Sequence, residues 1–584
     1  MSPVNSKHAT SCVEALIAQN VPSRLHKKDA SLYKEAANEA QVVRCMGWTD
    51  LASNPPYDIS EIVAIAKGIR QEGLDAVVLI GQGGSSQASM TVSALYDLTK
   101  GIDVAFYTMD SLSPVTVNQI LQASDPARTL YIVSSKSGST IEPLMLERVA
   151  WQYVIGHLGS KGAAKRFVAI TDPGSKLEQL ALVKDYRFVL SSPSDVGGRF
   201  SALCVFALFP AACAGIDIEK VVATAALVEQ RCAEDSADNP ALDLACFIFE
   251  NYQKGRDKIA LVMPRSGAVF GLWLEQLIAE SSGKQDLGVL PYLEVDASLL
   301  REPHDDRIII TNSLGRLEGF AASLEHFDPS IPVRHHNLDS IDELFGSFVI
   351  WEFATAMLGY LMGINPFDQP NVEDTKKRVR SLLSSLDADG TQDRAPGEVQ
   401  KPDFLEITFP DQGFVSSLRV SNALLENSGL VSGEIALDDA LEALVASLTC
   451  SDYLSINAFV PSDEYAHSEA LERMRNRVAS RLGVAACLEI GPRYLHSTGQ
   501  LHKGGPNMGV FCYISSDDEE DIEIPGEEFT LGKLAATQAQ GDFSANAARG
   551  RRAIQVHLAN NDAETLCRLA DQFCLAVSAT TKPK

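Results

Sequence analysis

A chain of 584 residues with 45% hydrophobic residues, 22% charged residues and 40 glycines has the composition of a folded α/β protein, long enough for about three or four domains. Its formal net charge of -26 opposes a nucleic-acid partner, so an anionic small molecule would need a locally basic pocket. The eleven cysteines form no C-x-x-C pair, the N-terminal M-S-P-V-N-S-K-H has no apolar stretch, and the longest apolar run, 202–216, contains Pro210. These features predict reduced thiols in a cytoplasmic protein without export signal or membrane anchor.

Residues 1–55 alternate short helical patterns with polar breaks and end at Pro55-Pro56, which predicts a helical arm packed on the adjoining domain. A first α/β domain is expected over 56–215. Helix 60–72 leads to Ala76-Val77-Val78-Leu79-Ile80, a β-rich run that stops at G-Q-G-G-S-S (81–86) before another helix. Glycine there lets backbone approach a ligand closely, although G-x-G-G alone is a weak signal. Strands are expected next at 104–107, 131–133, 167–171 and 186–190.

The stretch Tyr131–Thr140, Y-I-V-S-S-K-S-G-S-T, carries the most information. A strand end, a tight polar loop and a helix start give unpaired N–H groups at the positive end of a helix dipole. Hydroxyls from Ser135, Ser137, Ser139 and Thr140 add donors, which suits a phosphate dianion. The loop lacks G-x-x-x-x-G-K-[ST] and is no nucleotide P-loop; plain N-capping is the simpler use of such residues.

After V-G-G-R-F-S (196–201) the pattern restarts, with a second domain expected over 216–384. Strand 258–263 is followed by P-R-S-G and a helix over about 268–281, then by strands at 307–311 and 333–338 and an apolar helix over 347–363. Strands alternating with helices imply parallel sheets with ligands at the carboxyl ends of the strands, and the repeat implies a site shared by two doubly wound domains. Residues 385–402 read as a linker, and 403–584 as a C-terminal α/β domain with strands near 454–459, 485–490 and 509–514 and helices near 465–482 and 561–577. The acidic run 517–521 is assigned no chemistry.

Several residues could carry chemistry. Glu280 opens E-S-S-G-K at a helix end beside a glycine break, one turn after Gln276; an exposed surface glutamate is the ordinary reading of such a position. Arg199 follows Gly197 and Gly198, which free the backbone to aim a guanidinium at a developing oxyanion or at a carboxylate of the fold. N-P-F-D-Q-P-N-V-E (365–373) leads into a helix on which Gln369 and Lys376 share a face. Y-L-H-S-T-G-Q-L-H-K-G-G-P (494–506) is a glycine-rich loop with two histidines, and loop histidines are candidates for acid–base work.

Taken in register, G-x-G-G-S at 81–85, S-K-S-G-S-T at 135–140, V-G-G-R-F-S at 196–201, Q-x-x-x-E-S-x-G-K at 276–284 and N-P-F-D-Q-P-x-V-E at 365–373 resemble the motifs of the glucose-6-phosphate isomerase family. The matches cover roughly residues 50–380. The third domain, with R-Y-L-H-S-T-G-Q-L-H-K-G-G-P, resembles the C-terminal part of the isomerase half of bifunctional transaldolase/glucose-6-phosphate isomerase proteins, and R-L-H-K-K-D-A-S-L-Y resembles the start of that half. No aldolase barrel precedes it, so Schiff-base chemistry is not expected.

The resemblance implies two sugar-isomerase (SIS-type) domains and reversible conversion of glucose 6-phosphate to fructose 6-phosphate through a cis-enediol, without metal or organic cofactor. It makes Glu280 the base, Arg199 the electrostatic stabiliser, and His496 with Lys376 the ring-opening pair. Gly84, Ser85, Ser135, Ser137, Ser139 and Thr140 would hold phosphate, with Gly198 beside Arg199; Lys136 and Gln369 would line the sugar site, and Gln276 would orient the base or the substrate. Members of the family place their histidine motif between the glutamate and the lysine, whereas here it follows Lys376. The loop is therefore expected to return to the cleft in space, with His304, which lies between Glu280 and Lys376, as its rival. A homodimer is also implied. A phosphosugar-binding module without chemistry and an aminosugar-phosphate isomerase remain the alternatives.

Overall fold

The computed structural model describes residues 11–34, 37–314, 327–386, 403–409, 413–430, 435–462, 464–518 and 520–583; the side chains of 372–374, 376 and 384–386 are outside the description. Three sheets form the frame. The first has five parallel strands in the order β2-β1-β3-β4-β5: β1 Ala76–Gly81, β2 Ala105–Met109, β3 Thr129–Ser134, β4 Phe167–Thr171 and β5 Phe188–Ser191. Its central strands β1 and β3 are apolar on both faces because helices cover both, as a parallel sheet requires.

The second sheet has four parallel strands in the order β7-β6-β8-β9: β6 Lys258–Val262, β7 Leu290–Glu294, β8 Arg307–Leu314 and β9 Val333–Leu338. The third is mixed, β10-β11-β15-β14-β12-β13, from β10 Phe404–Thr408, β11 Val415–Ser421, β12 Tyr453–Phe459, β13 Ala485–Ile490, β14 Gly509–Ser516 and β15 Arg552–Leu558. Its four parallel strands follow the order of the second sheet, the first strand lying between the second and third, while β10 and β11 add an antiparallel edge. Sequence reading anticipated the parallel strands β12, β13 and β14 but not β10, β11 or β15. The half-exposed β10 lacks a continuous apolar run.

Of the linker expected at 385–402, residues 387–402 lie outside the described residues; the helix Val372–Leu386 occupies the first two positions. Among the described residues one helical stretch, Ile341–Met362, is long and apolar enough to cross a membrane, and 83% of its apolar window is buried inside the protein. All eleven cysteines are free.

Two features of the core position the functional residues. Trp48 of the N-terminal arm stacks on Phe200 at 4.8 Å between ring centroids, and Phe200 meets Phe367 edge-on at 5.3 Å, which holds the Arg199 turn against the N-P-F-D-Q-P loop. A second apolar cluster spans the other two sheets, joining Ala260, Val262 and Tyr292 to Tyr453, Tyr494, Phe511 and Phe543. The third sheet is thereby packed on the second, and the turn after β13 is brought back toward the first.

Candidate active site

The glycine loop and the serine-rich loop follow β1 and β3, which pair with Gly81 opposite Ser134. Ser134 Oγ donates to Ser85 O at 2.6 Å, and Ser85 Oγ lies 2.8 Å from Gln82 O and 3.2 Å from Ser134 O, so the Ser85 hydroxyl is engaged within the loops. Thr140 occupies the N-cap of the Ile141–Ala164 helix yet makes no side-chain capping bond; it accepts from Ser135 Oγ at 3.4 Å. Ser137 Oγ accepts from the Ser139 amide at 3.3 Å and from Ser139 Oγ at 3.1 Å. Lys136 Nζ lies 2.7 Å from Asp172 Oδ2 and donates to Pro193 O at 3.0 Å.

Gly84 lies against the Gly198 backbone so closely that a Cβ on Gly84 would overlap the Gly198 carbonyl, and Ser201 Oγ, 2.9 Å from Gly84 O and within hydrogen-bond reach of Gly198 O, clasps the two turns. Arg199 is thereby delivered into the cleft. Its Nε donates to Ser281 Oγ at 2.9 Å, its Nη2 to Pro366 O at 2.5 Å and Asp368 O at 2.8 Å, and its Nη1 pairs with Glu280 Oε1 at 3.0 Å. Glu280 stands near the end of the Ala268–Ser282 helix but is 6% exposed, unlike an ordinary surface glutamate at a helix end. The short Gly499–Gly504 helix covers that end, with Gln500 Nε2 donating to Gly283 O at 2.8 Å. Behind the pair, Lys284 Nζ donates to Asn365 O, Asp368 O and Asp368 Oδ1 at 2.7–2.8 Å. Burial, with the Arg199 charge beside it, lowers this ammonium to a pKa of about 8.

His496 comes from the Arg493–His496 turn after β13, and Arg493 fastens that turn to the first sheet through Asp110, with Nε–Oδ2 at 2.7 Å and Nη2–Oδ1 at 3.0 Å. His496 Nε2 lies 3.0 Å from Glu142 Oε1, which also accepts from Gln538 Nε2 at 2.7 Å. Burial would raise the Glu142 carboxyl, but the charge of His496 and the bonds from His496 and Gln538 hold it below its ordinary value. Gln276 Nε2 donates to His496 O at 2.7 Å and to Glu280 Oε2 at 3.3 Å, so one amide joins the histidine turn to the carboxylate.

The rival His304 does not line the cleft. It is 8% exposed, near Gly483 and Lys582, and burial with the Arg307 charge lowers its pKa to about 4. His502 is buried among Tyr494, Tyr453 and Phe511. Lys376 is carried by the Val372–Leu386 helix, and its side chain lies outside the described residues.

A cleft of about 370 Å³ gathers Gly84, Ser85, Lys136, Ser137, Thr140, Gly198, Arg199, Gln276, Glu280, Gln369 and His496. Ser135, 2% exposed, supports Thr140 from beneath the cleft, while Ser139 faces an adjoining chamber of about 120 Å³ that shares Ser137, Thr140 and His496 with it. Among the polar side chains that sequence reading did not single out, Asp172 stands in the cleft and Glu142 and Gln538 in the adjoining chamber. T-D-P-G after a strand and S-T-I-E at a helix start gave weak local signals for the first two, which read as ordinary turn and first-turn acids. Gln538 lies inside the Leu531–Ala547 helix and had none.

Geometrically, this arrangement sets one carboxylate beside a guanidinium, a histidine–glutamate pair across an amide, and a hydroxyl-lined loop, all around one anion-sized space. Comparison with known proteins agrees with it. The family profile for phosphoglucose isomerase matches residues 58–288. The chain is 32% identical over 392 residues to a glucose-6-phosphate isomerase of Symbiobacterium thermophilum, covering 58% of this chain and 86% of that one. It is 31% identical over 393 residues to one of Mycoplasmopsis pulmonis, covering 58% and 90%. In fold it is similar to the crystal structure of a glucose-6-phosphate isomerase from Chlamydia trachomatis, with a TM-score of 0.54 and 18% identity over 65% of this chain and 87% of that one. A hypothetical protein from Thermus thermophilus gives a TM-score of 0.53 and 24% identity, covering 63% and 97%. With the order of its motifs, its parallel sheets and relatives above 30% identity matched over most of their length, the chain belongs to the glucose-6-phosphate isomerase family.

Proposed function

We propose that this protein interconverts glucose 6-phosphate and fructose 6-phosphate, and that it does so through a cis-enediol formed in the cleft between the first sheet, the second sheet and the His496 turn. Moving hydrogen between C2 and C1 of an aldose needs a base positioned over both carbons, a positive group for the enediolate oxygens, and an acid to open the ring. Glu280 is the base that removes the C2 proton and returns it at C1. Arg199, held by Ser281, Pro366 and Asp368, keeps a fixed positive charge beside the reacting oxygens without reorganising during the step. His496, oriented by Glu142, protonates the ring oxygen, with Lys376 as its partner. The phosphate is held by the loop that carries Ser137 and Thr140 and by the amides of the glycine turn. Lys136 and Gln369 line the sugar site.

The observation that carries this reading is the single amide of Gln276, which bonds both the Glu280 carboxylate and the His496 carbonyl. It ties the base to the histidine turn although 220 residues separate Gln276 from His496. Residues 403–584 also resemble the C-terminal part of the isomerase half of bifunctional transaldolase/glucose-6-phosphate isomerase proteins, which supports a role for the third sheet in the same chemistry. A homodimer is part of the family resemblance. Because His496 lines the cleft of its own chain, the reading requires no histidine from a second subunit.

The test is Glu280→Gln. The variant should still bind glucose 6-phosphate by calorimetry, yet show no exchange of the C2 hydrogen with solvent deuterium. Exchange at the wild-type rate would remove Glu280 from the mechanism.

A further inference from the structure

Asp542 lies inside the Leu531–Ala547 helix with no exposed surface, away from the cleft itself. Its Oδ1 pairs with Lys503 Nζ at 2.6 Å and accepts from Thr375 Oγ1 at 3.2 Å; its Oδ2 accepts from Tyr494 and Tyr513 hydroxyls, each at 3.0 Å. Burial would raise this carboxyl, but the Lys503 charge and its hydrogen bonds keep it below its ordinary value, so it is the ionised form that is held. Its partners are informative. Thr375 immediately precedes Lys376 on the Val372–Leu386 helix, and Tyr494 is two residues before His496 in the Arg493–His496 turn. Lys503 Nζ also donates to Gly499 O at 2.9 Å, at the start of the helix that covers Glu280's end.

The Leu531–Ala547 helix also meets the Val372–Leu386 helix at Gly541, where a Cβ would come 2.6 Å from Val379 Cγ2. The segment bearing Lys376 is thus seated on the third unit beside the carboxylate that also receives Tyr494. A buried ion pair is a poor source of stability compared with apolar packing, but it fixes geometry, because each bond to it has a direction.

We propose that Asp542 is a positioning residue that sets the Lys376 helix and the His496 turn in a fixed relation to each other. This rests on the reading that His496 and Lys376 open the sugar ring. Asp542 touches no substrate. Its effect falls mainly on ring opening, since neither Glu280 nor Arg199 bonds to it directly and the base is reached only through the Gln276 amide and the Gly499–Gly504 helix.

Substituting Asp542 itself would strand the Lys503 charge in the interior, so the test removes the two relevant bonds singly with near-isosteric changes, Tyr494→Phe and Thr375→Val. Each variant is assayed on glucose 6-phosphate and on its 4,5-dideoxy analogue, which has no hydroxyl placed to close a five- or six-membered ring. Loss of one directed hydrogen bond is expected to lower kcat on the ring-closing substrate about fivefold with KM unchanged, and to leave the analogue within about twofold. Equal losses on both substrates, or none on either, would overturn the positioning role. His496→Ala run alongside distinguishes the failures. If it is slow only on the ring-closing substrate while Tyr494→Phe and Thr375→Val behave as wild type, ring opening by His496 stands and the role of Asp542 falls. If His496→Ala slows both substrates alike, the ring-opening reading falls and the proposal with it.

Discussion

Arg199 Nη1 lies 3.0 Å from Glu280 Oε1, and the two side chains are only 5% and 7% exposed. A carboxylate this far from water needs a compensating charge. The guanidinium supplies it, and because its other N–H groups are fixed on Ser281, Pro366 and Asp368 it is held in one place beside the carboxylate.

Lysine at position 199 would keep the charge but cannot span those partners from one point. Arg199→Lys is expected to lower kcat by about 10²–10³, the usual cost of a lost donor at a developing oxyanion, with a smaller change in KM. Steady-state kinetics in both directions measures this. A kcat within about tenfold of wild type would argue that the arginine is structural.

His496→Ala is expected to lower turnover of ring-closed substrate by about 10², a typical value for loss of a general acid, whereas His304→Ala should leave it unchanged because His304 is buried outside the cleft. The pairing of His496 with Glu142 also has a consequence for pH. The folded Glu142 carboxyl is depressed below its ordinary 4.5 despite its burial. Its contribution to stability is therefore complete above about pH 4.5 and is lost as the pH falls through the folded value. Glu142→Gln should flatten that acid limb in urea titrations. An acid limb identical to wild type would count against the pair.

Lys284 gives a dependence of the same sign at alkaline pH. Its folded pKa of about 8 lies below the ordinary 10.5, so between these values the unfolded chain holds more protons and stability rises with pH from this group. The slope is expected to approach about 1 kcal/mol per pH unit near the middle of the window and to vanish in Lys284→Met. Denaturant titrations at several pH values between 8 and 10.5 read it directly. A slope that persists in Lys284→Met would assign it to other groups.

The two polar loops after β1 and β3 were legible because a strand, a polar break and a helix start are local patterns, and both fall where a parallel sheet leaves them, at strand carboxyl ends. Arg199 was legible for the same reason, as two glycines announce a turn. Glu280 could be found but not its burial, because the residues that cover it, Gly499–Gly504, come from a distant part of the chain. The return of His496 followed only from resemblance; the bonds that bring it back, Arg493 to Asp110 and Gln276 to His496 O, join residues hundreds of positions apart. Glu142 was hidden in plain view, since an acid in the first turn of a helix has an ordinary role with the dipole. The antiparallel edge of the third sheet escaped because β10 is half-exposed and short.

The long excursion between Gln276 and His496 also orders events at the ribosome. The glutamate, the arginine and the loops for the anion are synthesised first; the histidine comes afterwards, and β15, with which β14 and β11 pair, comes later still. A product of interrupted synthesis ending between them would therefore carry Glu280 and Arg199 without His496, so on the proposed roles competence for turnover is acquired only late in translation.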